Sequence, residues 1–256
     1  MKVALQLYSI YKATQEDLKG ALKAVKEMGY TCVEFADYHG FSAEEIKAML
    51  DEFGLECISV HQRYEDFLTD GYIDTLKTLG AKFCAVPWMP RSRHKGGEEF
   101  MQTLEDFKNF SCKLKENGIQ LTYHNHDGEF EKYEGKYLLD WLYEELPADV
   151  LETEIDTGWV QYAGLNPAEY VLKYKGRART VHLKDFVYTD EKTKYDNNFE
   201  GKPIGDGIVD FKELIASCEK AGSEYLIVEV EEYDATAKTQ MESAAKSRAY
   251  LKSLGI

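Results

Sequence analysis

A short apolar strand followed by a helix recurs along this chain about every 32 residues, the length of one βα unit, and no other feature limits the fold so strongly. The first strand is predicted over residues 3–9. A helix over 14–28 follows, opened by Thr14 and Asp17 as a capping box, with Leu18, Leu22, Val25 and Met28 on one face and Gly29 as its stop. Further strands are predicted at 31–36, Glu56–His61, 83–88, 119–125, 151–157, 179–185 and 225–231. The helices between them carry their own punctuation. Ser42 with Glu45 opens one and Gly54 closes it, Gly80 closes the next, and Asn117-Gly118 stops a helix over 98–116. A helix near 138–146 ends at Pro147, Asn166-Pro167 opens another with proline at the first helical position, Asp210 caps the one stopped by Gly222, and the last runs from Gln240 to about Leu254. Strict alternation implies a parallel sheet. Eight units in 256 residues imply one α/β domain over 1–256, a (β/α)8 TIM barrel. An open doubly wound sheet fits the same order less well, because Leu7-Tyr8-Ser9-Ile10-Tyr11 stands where a GxGxxG loop would follow the first strand.

Strand residues alternate between two faces. In the last four strands one face is apolar and the other is not. Thr122, His124 and His126 share a face, as do Glu152, Glu154 and Asp156, then Thr180, His182 and Lys184, then Ile227, Glu229 and Glu231. The apolar face of a barrel strand packs on helices, so the polar set points inward. Uncompensated carboxylates there are very costly. Any one of these residues alone reads as half of a salt bridge. Acids and an imidazole at matching heights on three consecutive strands instead read as ligands of a cation. An oxygen-rich set with one imidazole suits a single divalent ion, Mn²⁺, Mg²⁺, Co²⁺ or Zn²⁺. It would lie at the C-terminal mouth, where barrel enzymes do their chemistry.

Other strand-end residues are candidates to line the pocket: His61, Trp88, Arg91, His124, His126 and Trp159, the last to stack on a sugar ring or to serve as a core lid. Glu34 and Gln6 have inward-facing spacing, which a fixed polar network explains equally well. The stretch 186–209 is long for a βα loop, and its GKPIGDG run (201–207) suits the hinge of a lid over the mouth.

Composition excludes several alternatives. With 46 acidic against 31 basic residues the net charge is −15, which repels nucleic acid and anionic membrane surfaces alike. Five scattered cysteines form no CxxC pair, which argues against a disulfide framework or a structural zinc knuckle; Cys32, Cys57 and Cys84 read as small buried hydrophobes. No apolar run approaches the ~20 residues of a membrane helix, and the N-terminus lacks the marks of a signal peptide, so a cytoplasmic location is expected. A homo-oligomer is compatible with the sequence.

Six segments together resemble the sugar phosphate isomerase/epimerase family, whose barrel is xylose isomerase-like and which includes inosose dehydratase-like proteins. They are YHNHDGEF (123–130), EIDTGW (154–159), AGLNP (163–167), VHLKD (181–185), PIGDG (203–207) and IVEV (227–230). The resemblance implies one divalent metal held by a Glu, an Asp, a His and a second Glu. Asp156, His182 and Glu229 match the last three. Where the family often has its first Glu, this chain has His124, so either His124 or Glu154 completes the set, with Glu154 expected on the grounds that two glutamates better supply both a ligand and an acid/base. The implied function is isomerisation or epimerisation of a keto-sugar or related polyol through an enediolate, with Glu229 or Glu154 taking the proton and Lys184 stabilising the oxyanion. A dehydratase or lyase acting on an inosose or 3-keto sugar is the nearest alternative. An endonuclease IV-like repair enzyme is disfavoured by six histidines and the acidic charge, and a non-catalytic sugar-binding barrel would bind ligand indifferently to EDTA.

Overall fold

The computed structural model describes residues 1–69, 71–192, 198–232 and 234–256. Eight strands close into a barrel: β1 Lys2–Gln6, β2 Cys32–Phe35, β3 Glu56–His61, β4 Phe83–Val86, β5 Gln120–His124, β6 Glu152–Asp156, β7 Thr180–Leu183 and β8 Tyr225–Val228. Every strand pairs in parallel with the next, and β8 closes on β1. Each strand is short because only four to six residues are needed to cross the barrel wall before the chain turns out into a helix.

The predicted punctuation is largely what shapes the helices. Ser42 accepts from the Glu45 amide while Glu45 accepts from the Ser42 amide, a complete capping box, and Gly54 ends that helix at φ 65°. Asn166 caps the helix opened by Pro167, and Asp210 caps Phe211–Ala221. The strands end earlier than predicted, 3–9 at Gln6, 83–88 at Val86 and 225–231 at Val228, and two helices depart most from expectation. The predicted helix 14–28 is two helices, Tyr11–Glu16 and Leu18–Glu27, broken at Asp17. Asp17 takes a non-helical φ/ψ and caps the second helix by accepting from the Gly20 amide, so it is an N-cap and not the partner of Thr14. Thr14 Oγ1 bonds back to the Tyr11 carbonyl instead. The last helix starts at Ala237, capped by Thr236.

Two apolar layers result. The outward strand face, including Leu5, Val33, Val60, Leu121, Ile155 and Leu183, packs on helix residues such as Leu22, Ile46, Leu76 and Leu214, all fully or almost fully buried. Each such Leu or Ile contributes on the order of 1.5–3 kcal/mol. Inside the barrel a smaller plug of Ala4, Cys32, Ile58, Phe83, Tyr225 and Ile227 fills the N-terminal half. Beneath it, Glu152 is ion-paired with Arg179 (2.8 Å), whose guanidinium lies over the Phe83 ring. Glu152 therefore shares its face with Glu154 and Asp156 but has a structural task. The plug leaves only the C-terminal half of the barrel for polar side chains.

One irregularity decides what that half contains. The β2–β3 register runs Val33 opposite Cys57 and then Glu34 opposite Ser59, so β3 carries one extra residue. Cys57 and Val60 both face the outer layer, while Ile58 faces the plug. Strict alternation would have sent His61 outward with Cys57; the bulge turns it into the barrel.

The long stretch after β7 is not an open loop. Asp185–Tyr188 and Phe199–Lys202 form an antiparallel hairpin outside the barrel; residues 193–197 lie outside the described residues. The glycine-rich run beyond it is a clasp and not the expected hinge. The buried Asp185 carboxylate accepts from the amides of Phe186, Gly205, Gly207 and Val209, which fixes both ends of the excursion. Gly201 presses so closely on the Glu231 carbonyl that a Cβ would stand 2.0 Å from it, so the hairpin leans on the end of β8. The four cysteines in the strands and the Phe211–Ala221 helix are free and buried. Among the described residues no helix is long and apolar enough to cross a membrane.

Candidate metal centre

Parallel pairing sets the heights of the polar side chains. His124 lies opposite Glu154, and Asp156 lies opposite His182, one pleat nearer the mouth. Ile227 is level with His182, so Glu229 stands one pleat above it. At this upper level the ligand atoms of His124, Asp156, His182 and Glu229 all lie within 4.8 Å of one another, and all four residues are buried. Asp156 is the last residue of its strand and also caps the short helix Thr157–Tyr162. Its Oδ1 accepts from the Gly158 and Trp159 amides. Its Oδ2 is buried and has the Lys184 ammonium 3.0 Å away as its single close cation. Asn125 holds this strand end in place, its side chain bonded to both the amide and the carbonyl of Asp156. A buried carboxylate oxygen with one of its lone-pair sites unused, beside two imidazoles and a second carboxylate, fits a hard-to-borderline divalent ion.

Lys184 sits among three acids, 3.0 Å from Asp156, 3.2 Å from Glu231 and 3.4 Å from Glu229. Burial pushes its pKa down, but the three carboxylates outweigh burial and hold it well above the ordinary lysine value. The acids respond differently. Burial raises Asp156 and Glu231 against the pull of Lys184, whereas Lys184 and His182 overcome burial at Glu229 and hold it well below the carboxylate range. His124 is pushed well below the usual histidine value by burial and by neighbouring His182, His61 and His126.

Below this level is a second, closed network. Glu34 accepts from Gln6 Nε2 (2.6 Å) and lies 2.8 Å from His182 Nε2 and 3.1 Å from His61 Nε2. Glu154 pairs with His61 at 2.8 Å and approaches His182 at 3.4 Å and His124 at 3.8 Å. Burial raises Glu34, but the two histidines reverse this and hold it far below the usual carboxylate value; burial lowers His61, yet Glu34 and Glu154 bring it up to about 10. Here each acid already has imidazole partners at ion-pair distance, Glu34 with His61 and His182 and Glu154 with His61 and His182.

Residues 22–254 match the family described as the xylose isomerase-like TIM barrel. The chain belongs to that family. An inosose dehydratase of Geobacillus kaustophilus is 26% identical over 251 residues, covering 84% of this chain and 80% of that protein. An inosose dehydratase of Clostridium perfringens is 29% identical over 165 residues, so that the chain covers 54% of that protein's length and 60% of its own. A solved sugar phosphate isomerase/epimerase of Parabacteroides distasonis superposes with a TM-score of 0.77 at 25% identity, covering 98% of this chain and 93% of the other.

Set in this xylose isomerase-like barrel, the expected site residues divide into three groups. Asp156, His182 and Glu229 meet at the upper level with Lys184. The fourth side chain that meets them is His124, whose ring starts level with Glu154 but carries Nε2 up to 3.8 Å from Asp156 and 4.0 Å from Glu229; Glu154 clusters instead with His61, His124 and His182, one pleat below Asp156. His61, His124, His126 and Trp159 line a cavity of about 380 Å³ at the mouth, together with Glu229 and Glu231. Trp159 is both lid and wall: only 4% exposed, it packs on Phe199 of the hairpin and lies under the Lys184 ammonium. Trp88 and Arg91 do not join them. β4 ends at Val86, Pro87 is the residue that faces the cavity, and Trp88 falls on the outward parity and is 58% exposed. Arg91 is ion-paired with Glu131 at the surface. Sequence reasoning missed Tyr8, Arg63 and Asp127 on the cavity wall. All three lie beyond strand ends, where no periodicity fixes direction.

Proposed function

We propose that the protein is a divalent-metal-dependent enzyme that removes the proton beside the carbonyl of a keto-polyol, with loss of a β-hydroxyl as water as its net reaction. The observation that carries this reading is the buried set His124, Asp156, His182 and Glu229, which opens on a cavity large enough for one sugar or cyclitol ring. These four would hold the ion, with His124 in place of the expected Glu154. When bound, Mn²⁺, Mg²⁺, Co²⁺ or Zn²⁺ supplies positive charge that polarises the substrate carbonyl.

The chain's own groups account for the remaining chemistry. Glu231 lines the cavity and is raised by burial, so it suits a proton acceptor better than Glu229, which is held low, or Glu154, which lies beneath the cavity. As the proton moves to Glu231, charge develops on the carbonyl oxygen, and the Lys184 ammonium stands beside the same acids to offset it. The proton that Glu231 takes from carbon is the one it returns to the departing β-hydroxyl, which leaves as water as the C–C double bond forms; His126, with a buried Nδ1 that has no hydrogen-bond partner, and Trp159 line the same cavity. Return of a proton to the opposite face, as epimerisation requires, needs a second proton carrier there. His124 is taken up as a ligand in this reading, whereas elimination needs only the one carboxylate of Glu231. This asymmetry, and the extended similarity to inosose dehydratases, favour elimination. Isomerisation or epimerisation is the second reading, supported by the isomerase/epimerase neighbour.

NMR of the Mn²⁺-treated protein with inososes, ketohexoses and 3-keto-glycosides in D₂O tests both. Loss of water, abolished by EDTA and restored by Mn²⁺, is the expected result. Deuterium uptake without loss of water selects the isomerase reading. Turnover unaffected by chelation refutes the metal-dependent mechanism.

A further inference from the structure

Glu34 lines no part of the cavity, yet three side chains converge on one of its oxygens. It is fully buried on β2, receives the Gln6 amide, and faces one nitrogen each of His61 and His182. The two nitrogens of His182 look in opposite directions. Nδ1 is 2.9 Å from Glu229 at the upper level, and Nε2 is 2.8 Å from Glu34 and 3.4 Å from Glu154 below. We propose that Glu34 is a positioning residue that fixes the proton of His182 on Nε2 and so reserves the Nδ1 lone pair for the ion at the upper level. This rests on the reading of that level as a metal centre.

The argument is one of donors and acceptors. Ionised carboxylates accept and never donate. On the lower side Nε2 meets only carboxylate oxygens, so it must carry the hydrogen; a bare Nε2 lone pair would face the oxygen of Glu34 at 2.8 Å with nothing between them. The same rule puts a hydrogen on Nδ1, 2.9 Å from Glu229, until an ion takes that lone pair; with Glu34 holding the Nε2 hydrogen, Nδ1 is the nitrogen that gives its proton up, on the side of Asp156 and Glu229. Gln6 and His61 keep Glu34 from swinging away, since both bond to the same oxygen that faces His182. Carboxylates placed behind a ligating histidine in this manner typically change metal affinity by about 10- to 100-fold when removed. The extra residue in β3 belongs to the device, because without it His61 would not reach Glu34.

Two measurements test it on the whole chain. In wild-type protein loaded with Zn²⁺, ¹⁵N–¹H correlation of ¹⁵N-histidine-labelled material, assigned with His182→Gln, is expected to show His182 protonated at Nε2 only. Zn²⁺ titration of Glu34→Gln, which keeps an acceptor oxygen, is expected to show a smaller loss of affinity than Glu34→Ala, which is expected to weaken binding about 10- to 100-fold. A His182 proton found on Nδ1 overturns the inference whether or not the variants fold, as does unchanged Zn²⁺ affinity in folded Glu34→Ala. Failure of wild-type protein to bind Zn²⁺ would instead remove the metal reading and this inference with it.

Discussion

Replacing Lys184 by Met isolates the electrostatics of the site. The side chain is 1% exposed and its ammonium is within 3.4 Å of Asp156, Glu229 and Glu231. At an effective dielectric of about 20, each contact represents roughly 5 kcal/mol of gross attraction, most of it offset by the desolvation of the ions. Removing one partner of a buried ion pair leaves a net loss of about 3–5 kcal/mol, a large share of the ~5–15 kcal/mol that holds a domain together. The methionine fills similar volume, so packing adds little. Asp156 and Glu231, already raised by burial, rise further when the ammonium goes. A group whose folded pKa lies above its unfolded value contributes stability below the unfolded pKa and loses it as pH rises through the folded one. The deficit of Lys184→Met is therefore greatest near pH 8 and shrinks toward pH 5, where a proton substitutes for the ammonium. Urea unfolding in EDTA at both pH values measures this, and excess Mn²⁺ at pH 8 should recover part of the loss. A deficit below about 1 kcal/mol at pH 8, or one that does not change with pH, would refute the reasoning.

His124→Ala and Asp156→Asn should each lower Mn²⁺ affinity by about tenfold or more, with Glu154→Gln closer to wild type, as read by calorimetry; the opposite ranking would return Glu154 to the ligand set. Gly158→Ala should destabilise by about 1–3 kcal/mol in thermal unfolding, because the new Cβ would stand 2.7 Å from Lys184 Cβ and Cγ, which lie too near the backbone to yield. Glu129 is buried and, despite burial, its contacts with His94, His126 and Tyr123 hold its pKa at about 2. Its contribution is thus complete above the ordinary glutamate value of about 4.5 and is lost as pH falls through about 2. Glu129→Gln should be less stable than wild type by on the order of 3 kcal/mol at pH 6, and the two unfolding curves should converge as the pH is lowered toward 2.

Local chemistry in the sequence determined much of this protein. The 32-residue recurrence gave the barrel because eight βα units leave few other ways to bury eight apolar strand faces. The caps at Ser42, Asn166 and Asp210 were legible because a cap is a contact between residues two or three apart. Parity identified Asp156, His182, Lys184 and Glu229, since a strand's period of two fixes which face a residue takes. Parity gives no height relative to non-neighbouring strands, and there only the closed barrel decided. Its register placed Glu154 level with His124 and one pleat below Asp156, the reach of the His124 ring brought its Nε2 to Asp156 and Glu229, and Glu152 became the partner of Arg179. The extra residue in β3, invisible in the pattern of apolar residues, turned His61 inward to meet Glu34. The antiparallel hairpin after β7 was likewise unreadable as structure, because what fixes it is contact between residues about twenty to thirty apart: the amides of Gly205, Gly207 and Val209 gathered on Asp185, and Gly201 pressed against the Glu231 carbonyl just beyond β8. Face and cap are set by covalent neighbours; height, azimuth and partner are set by the strand pairing that closes the ring.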